Sequence, residues 1–378
     1  MNCRRIYVEN FRNIESADLT FSPEINILQG DNAQGKTNML EAVYLTALGR
    51  SFRQAGDNEM IKFGKDSCFI SNTYCDSVRE MNIKINLFAG KKQKAIEHNG
   101  LKVNRISEIV GAFKVIIFCP EHLSLIKEGP SLRRAFFDVA LSQIRPVYIN
   151  ALQRYNAVLR ERNTLLKNAI QSKENFDGTI DIWSEQLAKE AAFITVSRVK
   201  YLKMIQTYAS ECFRDMTSDR EKPEFVYMSS SGLKEEECTD ENLCRQRYSE
   251  LYNGCHEREI AAGATLWGIH KDDIDISLNG SKARFYCSQG QQRSLALSMK
   301  IAEGEIIKRL CGGDYPVFLL DDVFSELDRS RREYLLSSIK NKQVILTSCE
   351  LSNISDTAKI SNSELISVKN GVFTRIKN

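Results

Sequence analysis

The sequence lacks several features that would place it in a common class of protein. No apolar run approaches the ~20 residues that a membrane-spanning helix needs, so we do not expect an integral membrane protein. The first residues, MNCRRIYVEN, have no apolar core of the kind found in a signal peptide. The 11 cysteines contain no Cys-x-x-Cys pair and the 4 histidines are dispersed, which argues against disulfide and zinc frameworks. We therefore expect a cytoplasmic protein with reduced thiols.

Length and composition predict a globular protein with more than one domain. The 378 residues exceed one ordinary hydrophobic core, and 42% hydrophobic and 27% charged residues are typical of globular chains. The net charge of +3 does not by itself indicate a nucleic-acid partner. Residues 131–170, however, hold seven basic and two acidic residues. This stretch is either a face that contacts phosphates or an ordinary solvated helix surface.

The most specific motif is a phosphate-binding loop between a strand and a helix. The apolar residues Ile25, Ile27 and Leu28 predict a short buried strand, and an apolar helical face follows the loop. The pattern G-x-x-x-x-G-K-[ST] is formed by Gly30, Asp31, Asn32, Ala33, Gln34, Gly35, Lys36 and Thr37. A chance glycine-rich turn is the alternative, and the strand-loop-helix context argues against it.

Each residue type in this loop has a role in holding a nucleoside triphosphate. The glycines let backbone N–H groups point at phosphate oxygens, and the positive end of the helix dipole adds to their effect. We expect Lys36 to reach the β- and γ-phosphates and Thr37 to offer its hydroxyl to Mg²⁺. The loop therefore predicts a nucleotide site with a bound magnesium ion.

A magnesium ion on a triphosphate also needs an acidic ligand, and a suitable pair follows a second buried strand. Pro316 to Leu320 is a continuous apolar run of the kind found in buried parallel strands. It ends in Asp321 and Asp322. We expect Asp321 to hold Mg²⁺, directly or through water, and Asp322 to orient or deprotonate the attacking water. The alternative is a strand that ends in ordinary surface acids.

A second predicted helix start can face an anion without a lysine. The run SQGQQR at 288–293 precedes an apolar helix predicted from Leu295 to Ile307. Ser288 can cap this helix, and Gly290 leaves backbone N–H groups open to a phosphate. We count Ser288, Gly290 and Gln291 as candidate nucleotide contacts. Taken alone, the pattern is also compatible with a capped core helix.

The chain between these motifs is predicted to be largely helical. Residues 121–170 have a helical pattern that is broken near Gly129-Pro130 and at Pro146. From Trp183 to Cys212, side chains at steps of three and four keep one face in register over roughly 45 Å of helix. Two such helices predict a short antiparallel arm. Strands are expected again after the arm, one of them from Ala283 to Tyr286.

The order of these motifs resembles the ABC-type ATPases of chromosome maintenance and repair, the SMC/Rad50-like group, and within it the RecF family. The shared residues include NFRN at 10–13, GRSFR at 49–53, SQGQQR and LLDDVFSELD at 319–328. The resemblance identifies Ser288 to Gln291 as the signature and Asp321 as the Walker B acid. It implies an α/β fold, with an ABC-type head built from a phosphate-loop sheet and a β-rich lobe. Residues 1–118 and 264–378 would form this head, and 119–263 a helical insertion, the second lobe, with a short antiparallel coiled-coil-like arm.

The resemblance also implies an activity and its partners. RecF proteins bind DNA in an ATP-dependent way, dimerise head to tail on ATP and hydrolyse it slowly. They act with RecR and RecO to place RecA at single-strand gaps beside duplex DNA. For this chain the implied cofactors are ATP and Mg²⁺. The implied partners are DNA bound without sequence preference and a second copy of the chain, with no membrane.

Departures from the wider ABC pattern favour slow hydrolysis. The usual glutamate after the Walker B acid is Asp322, which is one methylene shorter. The usual histidine on the following strand is absent, and Thr347-Ser348-Cys349 stand in its place. No clear glutamine occupies the loop between the lobes, where Glu121 and His122 lie. We therefore expect ATP hydrolysis that acts as a timer.

Two other functions are weighed against this one. A phosphoryl-transfer kinase would need a pocket for an acceptor substrate, and no residue cluster supplies one. A transporter ATPase subunit would need its signature close after the phosphate loop, whereas roughly 250 residues separate them here. The roles of Arg50 and Arg53 stay open, since they can face nucleotide or DNA or be ordinary surface arginines.

Overall fold

The computed structural model describes residues 1–91, 94–123, 125–169, 173–217, 221–349 and 363–376. The chain divides into two units, of which the first comprises Met1–Leu123 and Lys300–Asn378 and the second Ser124–Met299. The sequence-based division at residues 118 and 264 stays a prediction, because the two units are defined by contacts within the fold, whereas the predicted domains were defined by their motifs. No described helix combines the length and apolarity needed to cross a membrane.

The described strands and helices are numbered here in chain order. The strands are β1 (Asn2–Phe11), β2 (Ile14–Thr20), β3 (Ile25–Gln29), β4 (Ser67–Cys75), β5 (Glu80–Phe88), β6 (Ala95–His98), β7 (Leu101–Val103), β8 (Val115–Phe118), β9 (Pro223–Met228), β10 (Asp273–Leu278), β11 (Ser281–Lys282), β12 (Val317–Leu320), β13 (Val344–Ser348), β14 (Glu364–Lys369) and β15 (Val372–Ile376). The helices are α1 (Lys36–Leu48), α2 (Asp57–Met60), α3 (Pro120–Leu123), α4 (Pro130–Ile144), α5 (Pro146–Asn168), α6 (Lys173–Thr217), α7 (Glu241–Gly254), α8 (His256–Ala262), α9 (Ala283–Tyr286), α10 (Gln289–Leu310), α11 (Val323–Glu326) and α12 (Arg329–Ser338).

A mostly parallel sheet forms the core of the first unit. Its strand order among the described residues is β15-β14-β3-β13-β12-β8, and only β15 runs antiparallel to its neighbour. The strands β8, β12 and β13 are buried at every position, as their continuous apolar sequences predict. Parallel strands bring their carboxyl ends to one edge, so the residues that follow β3 and β12 meet there.

An antiparallel sheet forms the second layer of the first unit. Its order is β2-β1-β4-β5-β6-β7. Alternate residues of β5 are buried, which is the pattern of a strand with one covered face. The mixed α/β architecture with a β-rich lobe is therefore present as predicted from the sequence.

The second unit contains two long antiparallel helices, α5 and α6. Both α5 and the preceding helix α4 begin with proline at the first helical position, where the missing N–H costs no hydrogen bond. The two helices are antiparallel because Arg154 of α5 pairs with Glu190 of α6, whereas Arg162, further along α5, bonds Ser184, which is earlier in α6. The predicted antiparallel arm is confirmed over these residues, and residues 170–172 lie outside the described part.

The basic stretch at 131–170 is less exposed than its sequence suggests. Arg162 is fully buried and pairs with the buried Glu259 at 2.6 Å. Arg133 is buried as well and makes two hydrogen bonds to the Asp273 carboxylate, at 2.8 and 2.9 Å. These two arginines are therefore structural and cannot belong to a phosphate-contacting face.

The strand predicted from Ala283 to Tyr286 is wrong, because these residues form the short helix α9. The pairing of β11 with β10 ends at Lys282, opposite Ser277, after two residues. The backbone beyond Lys282 therefore has no partner strand and turns into a helix that leads toward Ser288.

We expect loss of the buried Arg162 guanidinium to destabilise the second unit. Arg162→Met leaves the Glu259 carboxylate buried without its charge partner, which should lower the free energy of unfolding by about 3–5 kcal/mol. The chain has 2 tryptophans, Trp183 and Trp267, and both lie in the second unit. Urea unfolding followed by tryptophan fluorescence therefore reports on this unit.

The matched control is an exposed ion pair of the same kind in the same unit. Arg245 pairs with Glu185, and both side chains are half exposed. Arg245→Met should change the free energy of unfolding by less than about 1 kcal/mol. Equal effects of the two substitutions would contradict the structural role of Arg162.

Candidate nucleotide-binding site

The candidate site lies at the carboxyl edge of the parallel sheet in the first unit. β3 pairs with β13, with Ser348 opposite Gln29, and β13 pairs with β12, with Leu346 opposite Leu320. The phosphate loop leaves β3, and Asp321 follows directly after β12. The fold thus brings together two segments that are almost 300 residues apart in the sequence.

Glycines are required at two points of the phosphate loop. A Cβ on Gly30 would lie 2.2 Å from the Val368 carbonyl oxygen, so no side chain fits there. Gly35 has a φ of +113°, which side-chain-bearing residues rarely adopt. Gly35 leads directly into α1, whose first residue is Lys36. The loop therefore delivers its lysine and threonine at the helix N-terminus, as the motif predicts.

Lys36 is held by the loop itself. Its Nζ atom donates to the carbonyl oxygens of Gly30 at 2.5 Å and Asp31 at 2.8 Å. The side chain is buried, and the Cys349 Sγ atom lies 3.4 Å from the ammonium group. The ammonium group thus sits over the loop, where its charge can face an anion.

Thr37 and Asp321, the two predicted magnesium ligands, are in direct contact. The Thr37 hydroxyl donates to Asp321 Oδ1 at 2.7 Å. The Thr347 hydroxyl donates to the same oxygen at 2.9 Å and accepts from the Asp322 N–H at 2.9 Å. Thr347 stands where the usual histidine is absent, and its contact with Asp321 is one that the sequence analysis did not predict.

The Asp321 carboxyl group is unusually easy to protonate. Burial raises its pKa above the ordinary value of 3.8, and the hydrogen bonds from Thr37 and Thr347 offset only part of that rise. A buried carboxylate that accepts hydrogen bonds from two hydroxyl groups is the kind of group that a bound cation would stabilise.

Asp322 lies beside Asp321 in a strained backbone conformation. Its φ is +50°, and its carbonyl oxygen accepts a hydrogen bond from the Ser325 hydroxyl at 2.7 Å. Left-handed φ values in residues other than glycine are uncommon and concentrate at functional sites. The turn starts the short helix α11.

A buried carboxylate on α1 connects two of the sequence motifs. Glu41 on α1 is fully buried and accepts two hydrogen bonds from Arg12, at 2.8 and 3.0 Å, and one from Ser51 at 2.5 Å. Arg53 lies 3.7 Å from Glu41 and donates to Asn38 Oδ1 at 3.0 Å. The NFRN and GRSFR runs therefore meet at Glu41, a residue that the sequence analysis missed.

The signature residues belong to the second unit. Ser288 Oγ accepts from the Gln291 N–H at 3.2 Å, and Gln291 Oε1 accepts from the Ser288 N–H at 2.7 Å. This reciprocal pair is a capping box at the start of α10, so the predicted cap is confirmed. The Gln291 amide also donates to Glu221. Gly290 lies in the first turn of the helix.

His122 is a neutral group in the first unit. Burial lowers its pKa to about 3, and its Nδ1 lies 2.9 Å from the Ile117 carbonyl oxygen. The Nδ1 atom must therefore carry the proton and donate to that carbonyl. That Glu121 and His122 stand where most ABC ATPases have a glutamine stays a prediction.

Comparisons with known proteins agree over nearly the whole chain. The family model described as the RecF/RecN/SMC N terminal domain matches residues 2–373. The DNA replication and repair protein RecF of Ligilactobacillus salivarius is 39% identical over 99% of this chain and 97% of its own length. RecF of Clostridium botulinum is 38% identical over the full length of both. The chain belongs to the RecF family.

Solved structures agree with this assignment. The recombination mediator protein RecF-ATPrS in the RecFOR pathway has a TM-score of 0.90 and 33% identity, covering 100% of this chain and 98% of that one. An SMC head bound to the C-winged helix domain of ScpA has a TM-score of 0.58 at 14% identity, covering 100% and 97%. The predicted SMC-like, ABC-type fold is therefore confirmed, while the roles of individual site residues stay predictions.

We expect Asp321→Asn to stabilise this RecF-family chain without ligand at neutral pH. Burial disfavours the ionised carboxyl, and asparagine imitates its uncharged form. Since the folded-state pKa is raised, the wild type loses stability as the pH rises through the interval from 3.8 to the folded-state value. The gain should therefore be present at neutral pH, shrink as the pH falls through that interval and vanish below it.

Thermal unfolding across this pH range measures the effect. Asp66→Asn, at an exposed acid of the same unit, serves as the control and should show no comparable gain. A lower melting temperature for Asp321→Asn at neutral pH would contradict the assigned cost of burying this carboxylate.

Proposed function

We propose that this chain is an ATP-dependent DNA-binding protein of recombinational DNA repair and replication maintenance. Its relatives carry the name DNA replication and repair protein RecF, and two solved relatives are described as RecF-ATPrS and RecF-ATP. The observation that carries the proposal is the 2.7 Å contact of Thr37 with Asp321 beside the phosphate loop. The full-length match to RecF supports this function over that of a transporter subunit.

The residues at this contact fit a magnesium ion on ATP. Oxygen ligands of octahedral Mg²⁺ at about 2.1 Å from the ion lie about 3 Å from each other, which is close to the observed separation. Among the described residues, no group of three or more His, Cys, Asp and Glu side chains could hold a metal ion. The pair therefore suits an ion that takes its other ligands from phosphates and water. Such an ion would neutralise charge on the β- and γ-phosphates.

The residues around the contact then have distinct tasks. Lys36 exchanges its bonds to the loop carbonyls for phosphate oxygens. Thr347 orients the Asp321 carboxylate, and Asp322 orients or deprotonates the attacking water. Because Asp322 is shorter than the usual glutamate and no histidine follows on β13, hydrolysis is slow. ATP therefore acts as a timer.

The signature explains why two copies of the chain are needed. Ser288 is exposed and Gly290 and Gln291 are partly exposed at the start of α10, where backbone N–H groups and the helix dipole favour an anion. In a head-to-tail dimer the signature of one copy covers the γ-phosphate bound by the other. ATP then holds the two copies together, and its hydrolysis releases them.

DNA is the proposed partner of this dimer, bound through its phosphates without sequence reading. Four basic residues of the 131–170 stretch are exposed, namely Arg145, Arg154, Arg160 and Lys167. Such contacts position a protein on the backbone and weaken with salt. RecR and RecO are the proposed protein partners, and RecA is the protein finally placed at single-strand gaps.

We expect Asp322→Asn to trap the dimer. With ATP and Mg²⁺ the variant should sediment as a dimer, because phosphate binding is kept while hydrolysis is blocked. Adding gapped duplex DNA should increase the sedimentation coefficient further. Sedimentation velocity with and without ATP measures both steps.

Lys36→Ala is the control, since it removes the charge that holds the phosphates and should leave the protein monomeric with ATP. If Asp322→Asn remains monomeric at saturating ATP, the shared site is refuted. If the variant dimerises but its sedimentation coefficient does not increase when gapped DNA is added, only the proposed DNA partner is refuted.

A further inference from the structure

The phosphate loop is anchored on one side by the last hairpin of the chain. A turn at Asn370 and Gly371 joins β14 to β15. The Asn370 N–H donates to Gln34 Oε1 at 2.6 Å, and the Gly371 N–H donates to the Gln34 carbonyl oxygen at 2.8 Å. The centre of the loop therefore accepts two hydrogen bonds from the backbone of the turn.

The same hairpin confines the start of the loop. β14 pairs in parallel with β3, so that Ser367 lies opposite Gln29. One residue further along each strand, the Val368 carbonyl oxygen occupies the space that a Cβ on Gly30 would need. The loop thus leaves the sheet in contact with the backbone of the hairpin.

Asn13, in the turn between β1 and β2, supports the loop from another side. A Cβ on Gly371 would lie 2.7 Å from the Asn13 carbonyl oxygen, so the two turns touch through their backbones. The Asn13 amide donates to the Ala33 carbonyl oxygen at 3.2 Å and accepts from Asn38 at 2.8 Å. It also fills the space beside Gly35, where a Cβ would lie 2.9 Å from Asn13 Oδ1.

These supports matter because the middle of the loop is exposed and includes an uncommon backbone conformation. Residues 31–33 are exposed, and Ala33 has a φ of +63°, an uncommon conformation that persists only when its surroundings impose it. Backbone N–H groups bind phosphate tightly only if they are already oriented toward the binding position before the ligand binds.

We propose that the C-terminal hairpin turn is a positioning element for the nucleotide phosphates. Asn370 and Gly371, together with Asn13, hold Gln34 and Ala33 so that the loop keeps its binding geometry without ATP. The inference rests on the proposed function, because it assumes that this loop binds the phosphates of ATP.

Gly371→Ala tests the proposal. The new Cβ meets a backbone oxygen at 2.7 Å and forces the turn away from Asn13 and Gln34. The Kd for ATP and the KM should each rise about tenfold, while kcat at saturating ATP changes less than about twofold, since only binding to the loop is affected. Equilibrium binding of ATP with Mg²⁺ and steady-state hydrolysis measure the three constants.

Gly100→Ala is the matched control. Gly100 lies in a turn of the same unit with a φ of +78°, against +77° at Gly371, and a Cβ there meets nothing within 4 Å. Both variants carry the same backbone strain, so both should lower the melting temperature of the nucleotide-free protein. Only Gly371→Ala should weaken ATP binding.

Asn13→Ala provides a second variant should Gly371→Ala fail to fold. It removes the amide that bonds Ala33 and should raise the Kd for ATP in the same way. If both variants, or Asn13→Ala alone where the other is unfolded, bind ATP as tightly as Gly100→Ala, the positioning role is refuted and the proposed function stands. If the wild type itself does not bind ATP, the proposed function fails and the inference falls with it.

Discussion

The contact between Thr37 and Asp321 is the constraint on which the rest of the first unit depends. These residues come from opposite ends of the chain, and they meet only because β3, β13 and β12 are adjacent parallel strands. Burying an aspartate carboxyl at the end of a strand is unfavourable, as its raised pKa indicates. The unfavourable burial of the Asp321 carboxyl occurs at the carboxyl edge of the parallel sheet, where a cation beside a triphosphate would offset it.

Much of this arrangement could be predicted from the sequence because its signals are local. The phosphate loop is a contiguous pattern of residue types, and the apolar run before Asp321 identifies a buried strand. The helical arm could be predicted from its periodicity, and the buried positions of α6, such as Leu187, Ala191 and Ile194, follow that periodicity.

The missed features depend on partners that are remote in the sequence. The residues next to Thr347 in the sequence do not indicate that its hydroxyl bonds Asp321. Those next to Arg162 do not indicate that it pairs with a buried Glu259. The Asn370-Gly371 pair, typical of a tight hairpin, is a local signal that was not used. Its contact with Gln34 could not be predicted, since that depends on which strand lies beside β3.

The central claim is that Thr37 and Asp321 hold one divalent ion against ATP. Electron paramagnetic resonance of Mn²⁺, used in place of Mg²⁺, measures binding of the ion to the protein with ATP present. The account predicts one bound ion per wild-type chain, and affinity reduced by more than about tenfold in Thr37→Val and in Asp321→Asn but not in Asp66→Asn. Unchanged Mn²⁺ affinity in Asp321→Asn would contradict it.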